Sequence, residues 1–127
     1  MNIPKNLLYT KTHEWIDFRD ETSALVGITD FAQGQLGEIV CVNLPIEGEE
    51  FAAGDIVADI ESKHAMSDMF LPVTGSISAV NDRLNDQPDL INTAPYDAWI
   101  CEVSGIEDKL ELLTAKEYDE FLQSEEE

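Results

Sequence analysis

The residues best placed to do chemistry lie in one run, Glu61-Ser62-Lys63-His64-Ala65-Met66-Ser67-Asp68. A lysine amine stands beside a histidine imidazole, with carboxylates at both ends of the run. Ahead of it, Asp55-Ile56-Val57-Ala58-Asp59-Ile60 places apolar residues at alternate positions, as a half-buried strand does. Behind it, Met69-Phe70-Leu71-Pro72-Val73 reads as a second strand. The run is therefore expected at a hairpin tip, where side chains meet solvent on a rigid base. Lys63 is the only basic residue of fixed charge between Arg19 and Arg83, although isolated surface lysines are common. His64 could accept phosphate or ligate a metal, but a lone exposed histidine makes a poor metal site, so no metal is expected. No Ser/His/Asp or Cys/His arrangement and no phosphate-binding glycine loop stands out, so no catalytic residue is expected.

Composition bounds the partners. The chain has 127 residues, 43 % of them apolar, which suits one domain with a real core. Seven basic against 27 acidic residues give a net charge of −20. Nucleic acid and anionic membrane are repelled by such a chain, whereas basic protein surfaces are attracted. No run of about 20 apolar residues suggests a membrane span. Met1-Asn2-Ile3-Pro4-Lys5-Asn6 has no signal-peptide core, and a cytoplasmic protein is expected. Cys41 and Cys101 sit in apolar, strand-like runs and are expected as buried thiols.

The elements that must position the tip follow in order. His13 to Phe18 and Ser23 to Ile28 form a first hairpin, with His13 expected beside Trp15. Thr29-Asp30 can cap a short helix, Phe31 to Leu36, that Gly37 ends. Glu38 to Leu44 is a third strand. Ser76 to Asn81 and Ala98 to Val103 are later strands, and Pro88 to Ile91 can form a helical turn with Pro at its first position. A C-terminal helical extension is expected over about 106–123, with a capping box at Thr114-Ala115-Lys116-Glu117 and an apolar stripe of Tyr118, Phe121 and Leu122. Ser124 to Glu127 should fray, because like charges gather at the negative end of the helix dipole. Finally, Gly37-Glu-Ile39-Val-Cys-Val42-Asn43 is echoed by Gly75-Ser-Ile77-Ser-Ala-Val80-Asn81. Two like β units would build a sandwich with the Glu61 to Asp68 hairpin at one end.

Taken together, these residues resemble the glycine cleavage H-protein family of lipoyl carriers. The resemblance runs through nearly the whole chain. It rests on Tyr9-Thr10-Lys11-Thr12-His13-Glu14-Trp15, Val26-Gly27-Ile28-Thr29-Asp30-Phe31-Ala32-Gln33, Leu36-Gly37-Glu38-Ile39-Val40, Leu44-Pro45 and Gly54-Asp55. It continues through Glu61-Ser62, Ala65, Ser67-Asp68, Pro72-Val73-Thr74-Gly75, Leu90-Ile91-Asn92, Pro95-Tyr96 and Trp99. It implies a mainly β fold: a small lipoyl/biotinyl-like sandwich of two antiparallel sheets (a barrel-sandwich hybrid) with short helices and a C-terminal helix. It also implies a monomeric, non-catalytic carrier of a covalent lipoate. The arm would take an aminomethyl group from a pyridoxal-phosphate glycine decarboxylase to a tetrahydrofolate-dependent aminomethyltransferase, and dihydrolipoamide dehydrogenase would reoxidise it. Biotin is disfavoured, because its attachment lysine is expected between two methionines and only Met66 is near.

The tip departs from the family pattern. The pattern reads Glu-Ser-Val-Lys-Ala; here it reads Glu61-Ser62-Lys63-His64-Ala65. His64 holds the position of the family's lipoyl lysine, and imidazole forms no stable equivalent of the amide. Lys63, one place early, is then the candidate attachment residue. A one-residue slip in a strand turns a side chain to the opposite face, a rule that relaxes at a turn apex. Glu61, Ser62, Ala65, Ser67 and Asp68 are the flanks a lipoate ligase would read. The alternative is an H-like protein that carries no lipoate and acts by binding or regulation.

Overall fold

The computed structural model describes residues 1–126. Two antiparallel sheets form. The larger contains β1 (Leu8–Tyr9), β2 (Glu14–Phe18), β3 (Ala24–Ile28), β9 (Cys101–Ser104), β8 (Gly75–Val80) and β5 (Glu50–Phe51), in that spatial order. The smaller contains β4 (Ile39–Asn43), β6 (Ile56–Ser62) and β7 (Met66–Phe70), with β6 in the centre. Ile39, Val42, Ile60 and Met69 of the small sheet join Val26, Ile77, Cys101 and Val103 of the large one in a single apolar cluster. Alternation in these strands thus decides which residues face inward.

The echoed segments fall one in each sheet, as β4 and β8. Each carries a β-bulge at the same place in the repeat, between Ile39 and Cys41 and between Ile77 and Ala79. A bulge bends its strand and lets the sheet coil around the core. Gly75 opens the second copy with no room for a side chain: an added Cβ would lie 2.7 Å from the Ser104 carbonyl oxygen.

Helix α1 (Asp30–Leu36) begins as its sequence predicts. Thr29 Oγ1 accepts from the Ala32 amide at 3.2 Å, and Gly37 ends the helix at φ 84°. The C-terminal helix α4 (Ala115–Glu126) opens on a reciprocal capping box between Thr114 and Glu117, with bonds of 2.8 and 3.2 Å. Its buried Tyr118 and Leu122 rest on Leu7, Tyr9 and Trp15, and the Tyr9 and Tyr118 rings stack at 4.8 Å. The helix runs through Glu126, which includes Ser124 to Glu126 of the segment expected to fray, and Glu127 lies outside the described residues.

Several expectations need correction. The helical extension begins at Ala115, not near Ile106. Residues 106–114 run extended because other segments take their backbone groups: Thr74 N donates to Asp108 O, Leu110 N to Pro72 O, and Tyr9 and Leu113 exchange two bonds. The segment from Asp82 holds two short helices, α2 (Arg83–Asp86) and α3 (Leu90–Thr93), and Pro88 precedes the second instead of opening it. Leu84 and Ile91, both fully buried, anchor them to the core. His13 does not pack beside Trp15. It takes a left-handed φ of 72° and lies against Phe31, with its Nδ1 2.9 Å from the Tyr118 hydroxyl. Cys101 is buried, but Cys41 is partly exposed, because the bulge in β4 sets it on the outward face.

One buried carboxyl joins the sheets. Glu14 on β2 is 1 % exposed. Its Oε1 accepts from the hydroxyls of Thr10 and Thr12 at 2.6 and 2.5 Å, and its Oε2 accepts from the amide of Phe70, the last residue of β7, at 3.2 Å. Burial pushes its pKa from 4.5 up to about 7, outweighing the donors that favour the anion. Between these values the unfolded chain ionises Glu14 and the folded chain does not, so its contribution to stability is full below 4.5 and lost as pH rises through 7. A shift of this size corresponds to about 3 kcal/mol. In Glu14→Gln, urea unfolding at pH 4.5 and pH 7.5 should show this pH-dependent loss reduced by roughly that amount. An unchanged pH slope would contradict a neutral Glu14.

Candidate functional site

The tip is built by β6, β7 and the Ser62 side chain. Glu61 pairs with Met66, and the Ser62 amide donates to the Ala65 carbonyl at 2.8 Å, which leaves Lys63 and His64 as the loop. Ser62, only 9 % exposed, points inward. Its Oγ accepts from the amides of Ala65 at 3.0 Å and His64 at 3.3 Å, and donates to the Ala65 carbonyl at 3.2 Å. A serine here does what an N-cap serine does at a helix: it satisfies amides that the turn leaves unpaired. No left-handed residue is needed at 63 or 64.

The two loop residues are not equivalent. Ile39 of β4 pairs with Ser62, and the ladder runs one step further, since the Lys63 amide donates to the Glu38 carbonyl at 3.1 Å. Lys63 is thus the last residue of the β6 ladder, and His64 has left it. The Lys63 side chain is 57 % exposed, and its Nζ lies 3.0 Å from Glu38 Oε2. It has not been turned inward; Ser62 holds the inward place. His64 is exposed, and its imidazole has no hydrogen-bond or ion-pair partner among the described residues.

The flanks divide by face. Glu61 lies between Cys41 and Met66, and Asp68 lies opposite Asp59, on the outward face of the small sheet. Asp59 is a carboxylate that reading the tip alone misses; its spacing of two from Glu61 is the signal that both share a face. Asn43 Nδ2 donates to Asp59, but Asp59 and Asp68 still face each other as like charges across the strands. Val40 and Met66 are exposed apolar residues near these carboxylates, at 47 % and 65 %. Ala65 and Ser67 are exposed beside the turn. Among the described residues, no group of three or more His, Cys, Asp or Glu side chains is arranged to hold a metal ion. No helix among them is long and apolar enough to cross a membrane.

The fold is a sandwich of two antiparallel sheets, with Lys63 and His64 at the hairpin tip of the smaller one. The family model described as Glycine cleavage H-protein matches residues 7–125. The chain is 51 % identical over 125 residues to a glycine cleavage system H protein of Lachnoclostridium phytofermentans, covering 98 % of each. It is 49 % identical to one from Listeria monocytogenes, covering 96 % of this chain and 99 % of that protein. The crystal structure of a glycine cleavage system H protein from Mycobacterium marinum superposes with a TM-score of 0.86 at 37 % identity, over 98 % of this chain and 100 % of that one. The chain belongs to the glycine cleavage H-protein family. Members of this family are carriers rather than catalysts, bear a covalently attached lipoate and work with the P, T and L proteins of that system.

The residues at the tip suit such a group in one way only. An amide link needs a primary amine in solvent; Lys63 offers one, and His64 does not. Because Ser62 closes the loop, Ser62→Ala should destabilise the protein by about 1 kcal/mol, the usual cost of a lost cap. Hydrogen exchange at the Ala65 amide should quicken in that variant. Exchange as slow as in the parent would remove Ser62 from this role.

Proposed function

We propose that the chain is a working carrier of a glycine cleavage system, a single domain that acts as a cytoplasmic monomer with Lys63 as the attachment point of its lipoyl arm. The observation that carries this reading is the exposed Lys63 amine on a closed turn. The other lysines are worse placed. Lys11 is as exposed as Lys63 and likewise paired with a carboxylate, Glu111, but its amine also lies over the Phe121 ring; Lys109 lies over the Phe18 ring, Lys116 is in the first turn of α4, and Lys5 is near the N-terminus. When bound, lipoate supplies a pair of redox-active sulfurs that can take up and release an aminomethyl group. The protein's part is mechanical and electrostatic. The Ser62-closed turn gives the arm a firm origin, and tethering raises its effective concentration at each partner site. Glu61, Ser62, Ala65, Ser67 and Asp68 form the shape the ligase reads, with Ser62 acting from inside. The carboxylates of the outward face favour partners with basic surfaces. Those partners are a pyridoxal-phosphate glycine decarboxylase, a tetrahydrofolate-dependent aminomethyltransferase, dihydrolipoamide dehydrogenase and lipoate ligase.

A second reading has its own support. His64, not Lys63, is the loop residue free of the strand ladder, and it holds the place of the lysine in the family pattern. On that reading the chain docks on the same enzymes without lipoate and regulates them.

Intact-mass measurement after co-expression with a lipoate ligase, with peptide mapping, separates the two. A single lipoyl or octanoyl adduct on Lys63, absent from Lys63→Arg and kept in His64→Ala, is expected. No adduct on the parent chain, with one gained in His64→Lys, would establish the cofactor-free reading. An adduct lost only on changing Lys109 or Lys116 would move the site elsewhere.

A further inference from the structure

We infer that Glu38, clamped in place by Asn92, is a positioning residue that holds the Lys63 amine down on the edge of β4 and so restrains its acylation. The inference deepens the proposed function and rests on Lys63 as the attachment residue, although the restraint on the amine can be tested without a ligase. Glu38 contacts Lys63 twice: its carbonyl accepts from the Lys63 amide at 3.1 Å, and its carboxylate lies 3.0 Å from Nζ. The residues on either side of Glu38 are both held by one side chain. Asn92 Nδ2 donates to the Gly37 carbonyl at 2.8 Å, and Asn92 Oδ1 accepts from the Ile39 amide at 2.8 Å. Asn92 Nδ2 also donates to Gln33 Oε1 at 2.8 Å, which ties α3 to α1. The carboxylate therefore stands on a backbone bracket braced by two helices, and the lysine is drawn sideways toward it rather than beyond the turn.

Acylation must undo this contact. The ammonium gives one proton to water. The freed lone pair attacks the carbonyl of an activated acyl donor, such as a mixed anhydride of the fatty acid with a nucleotide phosphate or an activated ester. The bond from acyl carbon to leaving oxygen breaks with its electrons, and a second proton leaves nitrogen as the amide forms. The reactive amine and the amide are both neutral, so neither keeps the ion pair with Glu38. The ammonium ion pair must be given up before the neutral amine can attack, and an interaction lost on that way raises the barrier. Both partners are more than half exposed, so the effect is bounded by the weakness of surface pairs.

The test uses the full-length chain and an N-hydroxysuccinimide ester of octanoate, with peptide mapping of the five lysines. Glu38→Gln keeps the backbone bond and removes the charge. Its Lys63 should be acylated about 1.5- to 5-fold faster than in the parent, the span that surface pairs allow. Lys5, Lys11, Lys109 and Lys116 should be unchanged. Raising salt should bring the parent toward the variant, because the pair is screened, and Glu38→Asp should fall between the two. Asn92→Ala, which loosens the bracket and leaves the charge, should recover part of the acceleration. Equal rates at Lys63 in the parent and Glu38→Gln at low salt would overturn the inference and leave the attachment site standing. The same pair of proteins is then given lipoate ligase, ATP and octanoate. Faster loading of Glu38→Gln at Lys63 extends the restraint to the enzymatic reaction. Faster chemical acylation with no ligase adduct on Lys63 in either protein overturns the attachment reading and, with it, a role for Glu38 in loading.

Discussion

The structure depends on a constraint of parity. In β6 each residue commits its neighbour to the opposite face, and Ile60 and Ser62 are fixed inward by the core. Lys63 is then outward, and the closure between Ser62 and Ala65 leaves only His64 beyond it. A shift of one place in this run moves a side chain from the apex to the edge of the ladder, where β4 can hold it. The difference between Lys63 and His64 is that step, and Ser62 makes it sharp by satisfying both amides that a looser turn would leave to water.

The rest of the fold keeps this turn from moving. Glu14 fastens the end of β7 to the large sheet through the Phe70 amide, and Asn92 fastens the start of β4 to two helices. Between these anchors the small sheet turns its inner residues into the shared core. Its outer face shows Asp59, Glu61 and Asp68 beside Val40 and Met66. Such a face gains little from isolated surface pairs, yet it can steer a basic partner toward the tip.

Much of this was legible in the sequence. Alternation located the hairpin, Thr29 and Gly37 marked the ends of α1, and the Gly-led echo anticipated two like strands, although the bulges they share at matching places show only in the structure. These signals are local. What escaped was set by distant partners. Residues 106–114 look helical alone, but extended neighbours claim their backbone groups. His13 lies next to Trp15 in sequence, but its left-handed backbone turns it toward Phe31 and Tyr118. Glu14 reads as one acid among many until burial is known, and the Glu38 contact needs the register of β4 against β6. The tip itself was found by residue type; the unequal standing of its two residues needed the ladder.

Amide hydrogen exchange of the free protein, resolved residue by residue by NMR, tests that inequality most directly. A Lys63 amide bonded to the Glu38 carbonyl should exchange slowly, and the His64 amide, facing only a long bond to Ser62 Oγ, should exchange much faster. Equal, fast exchange at both positions, or cross-strand contacts that put His64 opposite Glu38, would show that the ladder stops or slips before Lys63.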